Sequence, residues 1–332
     1  MEIKARNVNQ ALPKAVRLLG MEGRRRTSRA GPVLVHPEVV MTRYEFPDER
    51  VVFWKQRDAN PFFHLFEGVW MLAGRNDVKS LVKFNARMGE FSDDGVTFHG
   101  AYGKRWYDHF GVDQLQLILV ALAARPDDRR QVLQIWDPRQ DLGRSGKDVP
   151  CNQSVHFTRD ERGALDIAVF CRSNDAVWGT YGSDAVDFSM LQELAARSMG
   201  WPVGAYTQVS SNWHGYLTTL EPLYPLAAVL EKFDDPYERR EVEPFPLLQT
   251  DRPTWTRDAN MFMEEGVGAM GYQDPFFRRV AVPLLAAWET FKTDGKARHQ
   301  EAIDRARDCQ ASDWRKAAVE WLQRRQEKCR TK

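Results

Sequence analysis

The spacing of apolar residues along the chain predicts both helices and strands. Apolar residues recur every three or four positions, as in helices, in residues 11–21, 62–74, 114–124 and 188–200. β-Branched and aromatic residues, which are typical of strands, dominate residues 32–46, 50–55, 131–136, 154–160 and 164–171. The interleaving of the two kinds of segment indicates an α/β (α+β) protein built around a sizeable core.

The last third of the chain differs from the rest in composition. A proline-rich stretch begins at about residue 237, and charged segments with apolar residues every three or four positions follow it to the end. We therefore expect a linker and then an amphipathic helical appendage packed on the preceding core. The charged sides of these helices predict a solvated face or the flank of a dimer.

Composition excludes several classes of protein. The 332 residues include 47 basic and 46 acidic ones, a net charge of +1 that gives no general attraction to nucleic acid or to an anionic membrane. The four cysteines form no C-x-x-C pair, so neither a disulfide scaffold nor a structural metal site is expected. No apolar stretch approaches the ~20 residues of a membrane helix, and we expect a cytoplasmic protein that binds no metal.

Candidate chemistry gathers in three short stretches. VPCNQSVHF places Cys151 just before a predicted strand, CRSND places Arg172, Ser173 and Asp175 just after another, and NWHGY contains His214 and Tyr216. A lone cysteine is most often a small buried apolar residue. Together, however, these stretches supply a nucleophile, anion-binding groups and partners for hydroxyl groups, which suits chemistry on a small phosphorylated substrate.

These stretches, in this order, resemble the thymidylate synthase family, which includes the pyrimidine nucleotide hydroxymethylases. SRAG, FEGVWMLAG, HGAYGKRW and DDRRQVLQIWDP carry the resemblance further, and it covers about residues 11–223. It implies a mixed β-sheet packed against helices, a catalytic core in residues 1–236, and a divergent C-terminal region in residues 237–332. It also implies a homodimer with shared active sites and 5,10-methylenetetrahydrofolate as the one-carbon donor.

The resemblance assigns a role to each candidate residue. Cys151 would attack C6 of a pyrimidine ring, Glu67 would organise proton transfer through water, and Tyr102 would line the site. His214 and Tyr216 would bind a sugar hydroxyl, and Asp175 would face the folate. The phosphate would be held by Arg172, Ser173, Arg29 and, from the partner subunit, Arg129 and Arg130.

Arginine suits the phosphate role because its planar guanidinium offers paired donors, and we expect the positive surroundings to lower the pKa of the Cys151 thiol. The run RRRTSR lacks the aromatic residues of a nucleic-acid patch. It is expected to be a phosphate-binding loop. Arg29 is favoured over Arg26 because SRAG matches the Arg-x-Gly motif of the family.

Three departures from the synthase pattern bear on substrate and product. GTYGSDAVDF stands where the family has its base-recognising asparagine. If this chain has one inserted residue, Asp184 occupies the position of that asparagine, and an aspartate there would suit the cytosine of CMP or dCMP. Without the insertion, Ser183 occupies the position, and Asp184 could be a helix N-cap.

Asn152 replaces the histidine that follows the cysteine, and the C-terminal text EKCRTK differs from the family's apolar tail. The first difference would alter the water network near C5. The second, the lack of an apolar lid over the folate, would ease the access of water and so favours a hydroxymethyl product. The expected relative is a cytidylate hydroxymethylase of nucleoside-antibiotic biosynthesis. The alternatives are methyl transfer to dUMP or dCMP, hydroxymethylation of dUMP, and a nucleotide-binding relative without catalysis.

Overall fold

The computed structural model describes residues 1–228, 233–293 and 298–330, with the side chain of residue 330 left out. Residues 331–332, the end of the EKCRTK tail, lie outside the described residues. The strands are β1 Glu2–Ala5, β2 Arg24–Ser28, β3 Gly31–Val35, β4 Val40–Tyr44, β5 Val132–Gln134, β6 Asn152–Arg159, β7 Leu165–Cys171, β8 Asn174–Asp175, β9 Val203–Ser210 and β10 Trp213–Tyr216.

The helices alternate with these strands and then dominate the C-terminal part. The α-helices are α1 Val8–Glu22, α2 Pro61–Leu72, α3 Val78–Val82, α4 Tyr102–Lys104, α5 Gln114–Ala124, α6 Pro138–Asp141, α7 Asp184–Ser198, α8 Leu217–Leu220, α9 Arg252–Glu265, α10 Val282–Thr293, α11 His299–Arg307 and α12 Ser312–Arg330. Short 3-10 or π-helical segments are Ala86–Phe91, Arg105–His109, Ala176–Ser183, Glu221–Ala228, Gly266–Gly268 and Phe277–Ala281.

The larger sheet has six strands in the order β1-β4-β9-β7-β6-β5. It is mixed, because β1 with β4 and β7 with β9 run parallel while the remaining neighbours run antiparallel. One face packs on α7, which itself packs on α2. Both helices are buried over most of their length. In α2 apolar residues extend around the helix, whereas α7 also buries polar residues such as Gln192 and Glu193. The expected mixed sheet against helices is confirmed.

The smaller sheet has four strands in the order β2-β3-β10-β8. Its first strand, β2, has the sequence RRRTS and pairs antiparallel with β3. The expectation of a basic loop in this stretch is therefore wrong. Sequence pattern missed the strand because β2 lies at a sheet edge with Arg24, Arg25 and Arg26 exposed, so only backbone pairing defines it.

The stretch of residues 50–55 forms no strand, contrary to the prediction from its apolar composition. Its backbone pairs with side chains instead. The side-chain amide of Asn9 donates through Nδ2 to the backbone carbonyl of Val51 at 2.9 Å and accepts through Oδ1 from the backbone N–H of Phe53 at 2.8 Å. The backbone N–H of Val51 donates to the Tyr237 hydroxyl at 3.3 Å. These partners satisfy the backbone, so a strand neighbour is not needed.

The C-terminal region joins the same hydrophobic core. Trp288 lies 5.3 Å from Phe62 on α2 between ring centroids, and Trp321 on α12 lies 5.8 Å from Phe62. One turn further along the same side of α2, Phe66 lies 5.5 Å from Phe262 on α9. The helical C-terminal region was correctly predicted, and its aromatic side chains cover this side of α2.

The proline-rich stretch is packed rather than free. Tyr237, Val242, Leu247 and Leu248 are buried, and the Leu247 amide donates to the carboxylate of Glu193 at 2.9 Å. The stretch therefore fixes the C-terminal helices to α7. None of the helices in the described part of the chain is long and apolar enough to cross a membrane.

Candidate active site

A cavity of about 170 Å³ lies where α2, α4, the N-terminal turn of α7 and the loop before β6 meet. Five side chains able to carry chemistry line it, namely Glu67, Tyr102, Asp148, Cys151 and Asp187. The rest of the wall is mostly apolar and includes Trp70, Met71, Leu81, Met88, Phe98 and Pro150. A pocket with few polar groups in apolar walls is typical of a ligand site.

Cys151 immediately precedes β6 and is partly buried beside the cavity. A guanidinium nitrogen of Arg172, Nη2, lies 3.9 Å from its Sγ. Burial raises the pKa of the thiol, Arg172 lowers it, and Asp184 and Asp148 raise it further. The expectation of a lowered thiol pKa is therefore wrong for the unliganded protein, because burial outweighs the arginine.

Arg172 is held next to Cys151 by the loop before β6. Its guanidinium donates to the carbonyl oxygens of Pro150 and Val149 in that loop, both at 2.9 Å, and lies 5.7 Å from the ring centroid of Trp136. The neighbouring Ser173 follows the end of β7, and its carbonyl accepts a hydrogen bond from Cys171 at 3.2 Å. The structure thus brings Arg172 to Cys151, whereas a role for Ser173 at the phosphate stays a prediction.

The other three predicted phosphate ligands lie elsewhere in the single chain. Arg29 is exposed at the turn between β2 and β3, and Arg129 and Arg130 are exposed in the turn before β5. None of the three lines the cavity. Arg130 donates to the Asp128 carboxylate through two nitrogens at 2.8 Å. A role for these arginines at the phosphate stays a prediction.

Glu67 sits on α2 and faces the cavity. Burial raises its pKa to about 8, although a hydrogen bond from the Ser183 hydroxyl opposes that rise. A carboxyl group that is still protonated near neutral pH can donate as well as accept a proton. Ser183 is committed to Glu67, which weakens the alternative in which Ser183 recognises the base.

Asp184 begins α7 and lies behind the cavity wall. Its Oδ1 accepts from the Asn152 amide and its Oδ2 from the Asn174 amide, each at 2.9 Å. Asn152 also donates to the Tyr102 hydroxyl at 3.1 Å, which connects Asp184 to the cavity. Burial raises the pKa of Asp184 to about 6 while the two amides lower it.

The segment before Asp184 is π-helical over Ala176–Ser183, with non-helical backbone at Tyr181 and Gly182. The register with one inserted residue, in which Asp184 takes the base-recognising place, stays a prediction. Asp184 is no side-chain N-cap, because α7 has no side-chain cap hydrogen bond.

Asp175, His214 and Tyr216 cluster on the smaller sheet. Asp175 pairs with His214 across β8 and β10, and the rings of His214 and Tyr216 lie 5.5 Å apart between centroids. Asp175 accepts from the Trp178 amide through Oδ1 at 2.6 Å. Its Oδ2 is buried without a hydrogen-bond partner among the described residues, and burial raises its pKa.

Sequence reasoning missed Asp187 and Asp148, which both line the cavity. Asp148 accepts a hydrogen bond from the backbone N–H of Gly100 at 2.8 Å. The two residues are far apart in the sequence, so no local sequence pattern predicts this contact. Asp187 could have been found, because the text DAVD places Asp184 and Asp187 on one side of a helix.

Comparison with known proteins now decides the family. The sequence profile described as Thymidylate synthase matches residues 12–273. The chain belongs to the thymidylate synthase family. The match continues about fifty residues beyond the resemblance seen in the sequence, into α9, so the family's part includes the start of the C-terminal helices.

Two relatives with higher identity share the name deoxyuridylate hydroxymethyltransferase. The chain is 50% identical over 330 residues to the deoxyuridylate hydroxymethyltransferase of Pseudomonas phage M6, covering 97% of this chain and 94% of that protein. It is 40% identical over 189 residues to the enzyme of that name from Bacillus phage SP01, covering 54% of this chain and 49% of that one. These relatives correct the prediction of a likeness to a cytidylate hydroxymethylase.

As a member of this family the chain is a one-carbon transferase, and 5,10-methylenetetrahydrofolate is its one-carbon donor. The residues present fit that group. The unpartnered Oδ2 of Asp175 is a buried acceptor suited to the N–H groups of a pterin ring. Trp178, 43% exposed beside it, offers a flat apolar surface for such a ring.

Proposed function

We propose that this protein adds a hydroxymethyl group to C5 of deoxyuridylate, with 5,10-methylenetetrahydrofolate and water as co-reactants. The observation that carries the proposal is the placement of Cys151 at the cavity, with its sulfur 3.9 Å from a guanidinium nitrogen of Arg172 and with Glu67 and Tyr102 in the same cavity wall. The full-length relative at 50% identity supports deoxyuridylate as the substrate.

In this proposal Cys151 forms a covalent bond to C6 of the pyrimidine, which makes C5 nucleophilic. The Arg172 guanidinium favours the thiolate and, with Ser173, binds the phosphate. The folate supplies the one-carbon unit that C5 accepts. Glu67 moves protons near the ring through the cavity, and Tyr102 and Asn152 form a hydrogen-bonded wall that holds the ring in place.

His214 and Tyr216 bind the sugar in this proposal. Both are partly exposed at the end of the smaller sheet, next to Asp175, so a sugar bound there would lie between the phosphate ligands and the folate side. His214 Nδ1 is within 3.1 Å of the Asn212 carbonyl, which leaves Nε2 to face a hydroxyl group.

Base recognition is assigned to Asp184 in this proposal, and its charge favours uracil. With a pKa of about 6 the carboxyl group is mostly ionised at neutral pH. An ionised carboxylate only accepts hydrogen bonds, which matches the N3–H of uracil, whereas N3 of cytosine is itself an acceptor. Two amide donors hold Asp184 in the ionised form.

A cytidylate is the second candidate substrate, and the same residue favours it under other conditions. Once protonated, Asp184 can donate to N3 of cytosine and accept from the N4 amine. Turnover of dCMP relative to dUMP is therefore expected to rise as the pH falls through about 6.

The test is to supply dUMP, dCMP and CMP separately with the folate, at neutral and mildly acidic pH, and to measure each product by mass. Hydroxymethyl-dUMP as the main neutral product supports the proposal. A methyl product with one dihydrofolate per turnover would refute hydroxymethylation, and a preference for CMP at neutral pH would refute the assignment of uracil to Asp184.

A further inference from the structure

The cavity contains a carboxyl group that the steps above do not use. Asp187 lies in the first turn of α7 and is 5% exposed. Its Oδ1 is buried and has no hydrogen-bond partner among the described residues. Leaving a buried polar group unpaired costs about 1–3 kcal/mol, so this group lowers stability unless a molecule in the cavity donates to it.

Asp187 forms a pair with Glu67 across the helix contact of α2 and α7. The two carboxyl groups line the cavity together with Cys151. Burial raises the pKa of Asp187 well above its usual value, and the charges of Glu67 and Asp184 raise it further. Two buried carboxyl groups of like charge share one proton rather than both ionising.

The two members of this pair differ in their hydrogen bonding. Glu67 accepts a hydrogen bond from Ser183. On the α2 side Asp187 meets no donor: a Cβ built on Gly68 would lie 3.4 Å from Oδ1 and 2.4 Å from the sulfur of Met190, so that side is closed by packed atoms. The open space next to Asp187 is the cavity that it lines, and a small donor such as water held there is the partner that Oδ1 lacks.

We propose that Asp187, paired with Glu67, holds the water molecule that completes hydroxymethyl transfer and accepts its proton. This inference rests on the proposed function. It gives Asp187 the step that distinguishes a hydroxymethyl product from a methyl product, whereas Glu67 serves the earlier proton transfers.

The step balances as follows in atoms and electrons. The water oxygen bonds to the exocyclic methylene carbon on C5 of the nucleotide, and one water proton passes to the unprotonated carboxylate of the pair. The electron pair pushed towards C5 re-forms the C5–C6 double bond, and Cys151 leaves C6 as a thiolate. The second hydrogen of the water stays in the product hydroxyl, so no oxidant or reductant is required.

The experiment separates this step from those before it. Enzyme is supplied with dUMP labelled with tritium at C5, the folate, and 2-mercaptoethanol, which can add to the methylene in place of water. Tritium release reports all steps up to the methylene, and mass spectrometry reports the hydroxymethyl and thioether products. The measured quantity is hydroxymethyl product per tritium released, which does not depend on the folded fraction of a variant.

For Asp187→Asn the ratio is expected to fall at least about tenfold, with thioether making up the difference, because the amide cannot accept a proton. The matched control is Asp313→Asn, since Asp313 is equally buried but packs against Tyr237 away from the cavity. Its ratio should equal that of the unaltered protein.

An unchanged ratio in Asp187→Asn, or an equal fall in Asp313→Asn, would overturn the inference. If the unaltered protein releases no tritium from dUMP, the proposed function itself is wrong and the inference falls with it. A crystal structure of the nucleotide complex gives an independent reading: water on Oδ1 of Asp187 supports the proposal, and direct contact of Oδ1 with the base refutes it.

Discussion

At the scale of single residues, the proposed chemistry depends on Cys151. Replacing its sulfur with the less nucleophilic oxygen of serine should reduce turnover by at least about 10³-fold, because the covalent bond to C6 can no longer form readily. Nucleotide binding should stay within a few-fold, since Arg172 and Ser173 are unchanged. Product formation measured by mass and nucleotide affinity measured by calorimetry test the two halves separately. Retained turnover would refute the nucleophile assignment.

Glu67 offers a residue-scale prediction about stability and pH. Its pKa in the folded protein is about 8, above its usual 4.5, so folding favours the protonated form. The associated stability is complete below about pH 4.5 and is lost as the pH rises towards about 8. Glu67→Gln avoids this loss, so its Tm relative to the unaltered protein should rise by several degrees between about pH 5 and about pH 8.

The control for this prediction has the opposite sign. Glu301 is an exposed carboxylate whose pKa is lowered by hydrogen bonds from Arg298 and Arg305. Removing its charge should therefore cost stability at higher pH rather than restore it. Thermal unfolding of both variants across the same pH series provides the comparison, and a Glu67→Gln difference that does not change with pH would contradict the shifted pKa.

Sequence alone located most of the residues at the site but not their electrostatics. Cys151, Arg172, Glu67 and Tyr102 could be placed because short motifs carry them. The raised thiol pKa could not, because it comes from burial that depends on the assembled loops around Pro150. Asp187 could be found from its spacing to Asp184, but its unpaired Oδ1 could not, because that depends on how α7 packs against α2.

At the scale of elements, the site depends on how closely α4 approaches α2. A Cβ built on Gly103 would lie 1.8 Å from the carbonyl oxygen of Met71 and 2.8 Å from its carbonyl carbon. Both are backbone atoms, so no side-chain rotation relieves the overlap. We expect Gly103→Ala to destabilise the fold by about 1–3 kcal/mol or more and to displace the neighbouring Tyr102.

The matched control is Gly20→Ala, a second glycine inside a helix. A Cβ on Gly20 meets only a Tyr224 ring carbon, at 3.9 Å, so the change should be neutral or stabilise by about 0.5–1 kcal/mol. Urea unfolding of both variants measures the difference. Equal stability of the two would show that the contact between α4 and α2 is looser than described.

Elements were predictable where their own residues specify them. Helices α2, α5 and α7 are recognisable because apolar residues fill their buried faces. The edge strand β2 and the irregular stretch of residues 50–55 were both assigned wrongly. β2 pairs with the next strand, β3, but its exposed arginines carry no strand pattern. For residues 50–55 the partners Asn9 and Tyr237 are distant in sequence.

At the scale of the whole molecule, one face of the six-stranded sheet is only partly buried. Ala168 and Phe170 on β7 and Thr207 and Val209 on β9 alternate with residues that pack on α7, and they stay partly exposed. An extended face of this kind suits association with a second copy of the chain. We propose that the expected homodimer forms here and brings Arg129 and Arg130 of the partner subunit to the phosphate.

Mixing two inactive variants tests the shared site. A double variant, Arg129→Ala with Arg130→Ala, is combined with Cys151→Ser by refolding the two together. A mixed dimer then contains one site with Cys151 and intact arginines from the other subunit, so part of the activity should return. Statistical mixing sets the ceiling at about a quarter of the full activity.

Arg172→Ala mixed with Cys151→Ser is the control, because both residues belong to the same site in one chain. No mixed dimer of that kind contains an intact site, so activity should not return. Recovery in the control, or none in the first mixture, would contradict a site shared between subunits. Product formation by mass is the measurement in both cases.

The aromatic contacts of Trp288 and Trp321 with Phe62 mean that the helix carrying Glu67 is braced by a region that mostly lies past the family's match. A version of the chain shortened to the family's match, residues 12–273, would lose these contacts, and α2 would no longer hold Glu67 firmly in position, although all the sequence motifs would remain. A tag placed after the final helix leaves the brace intact.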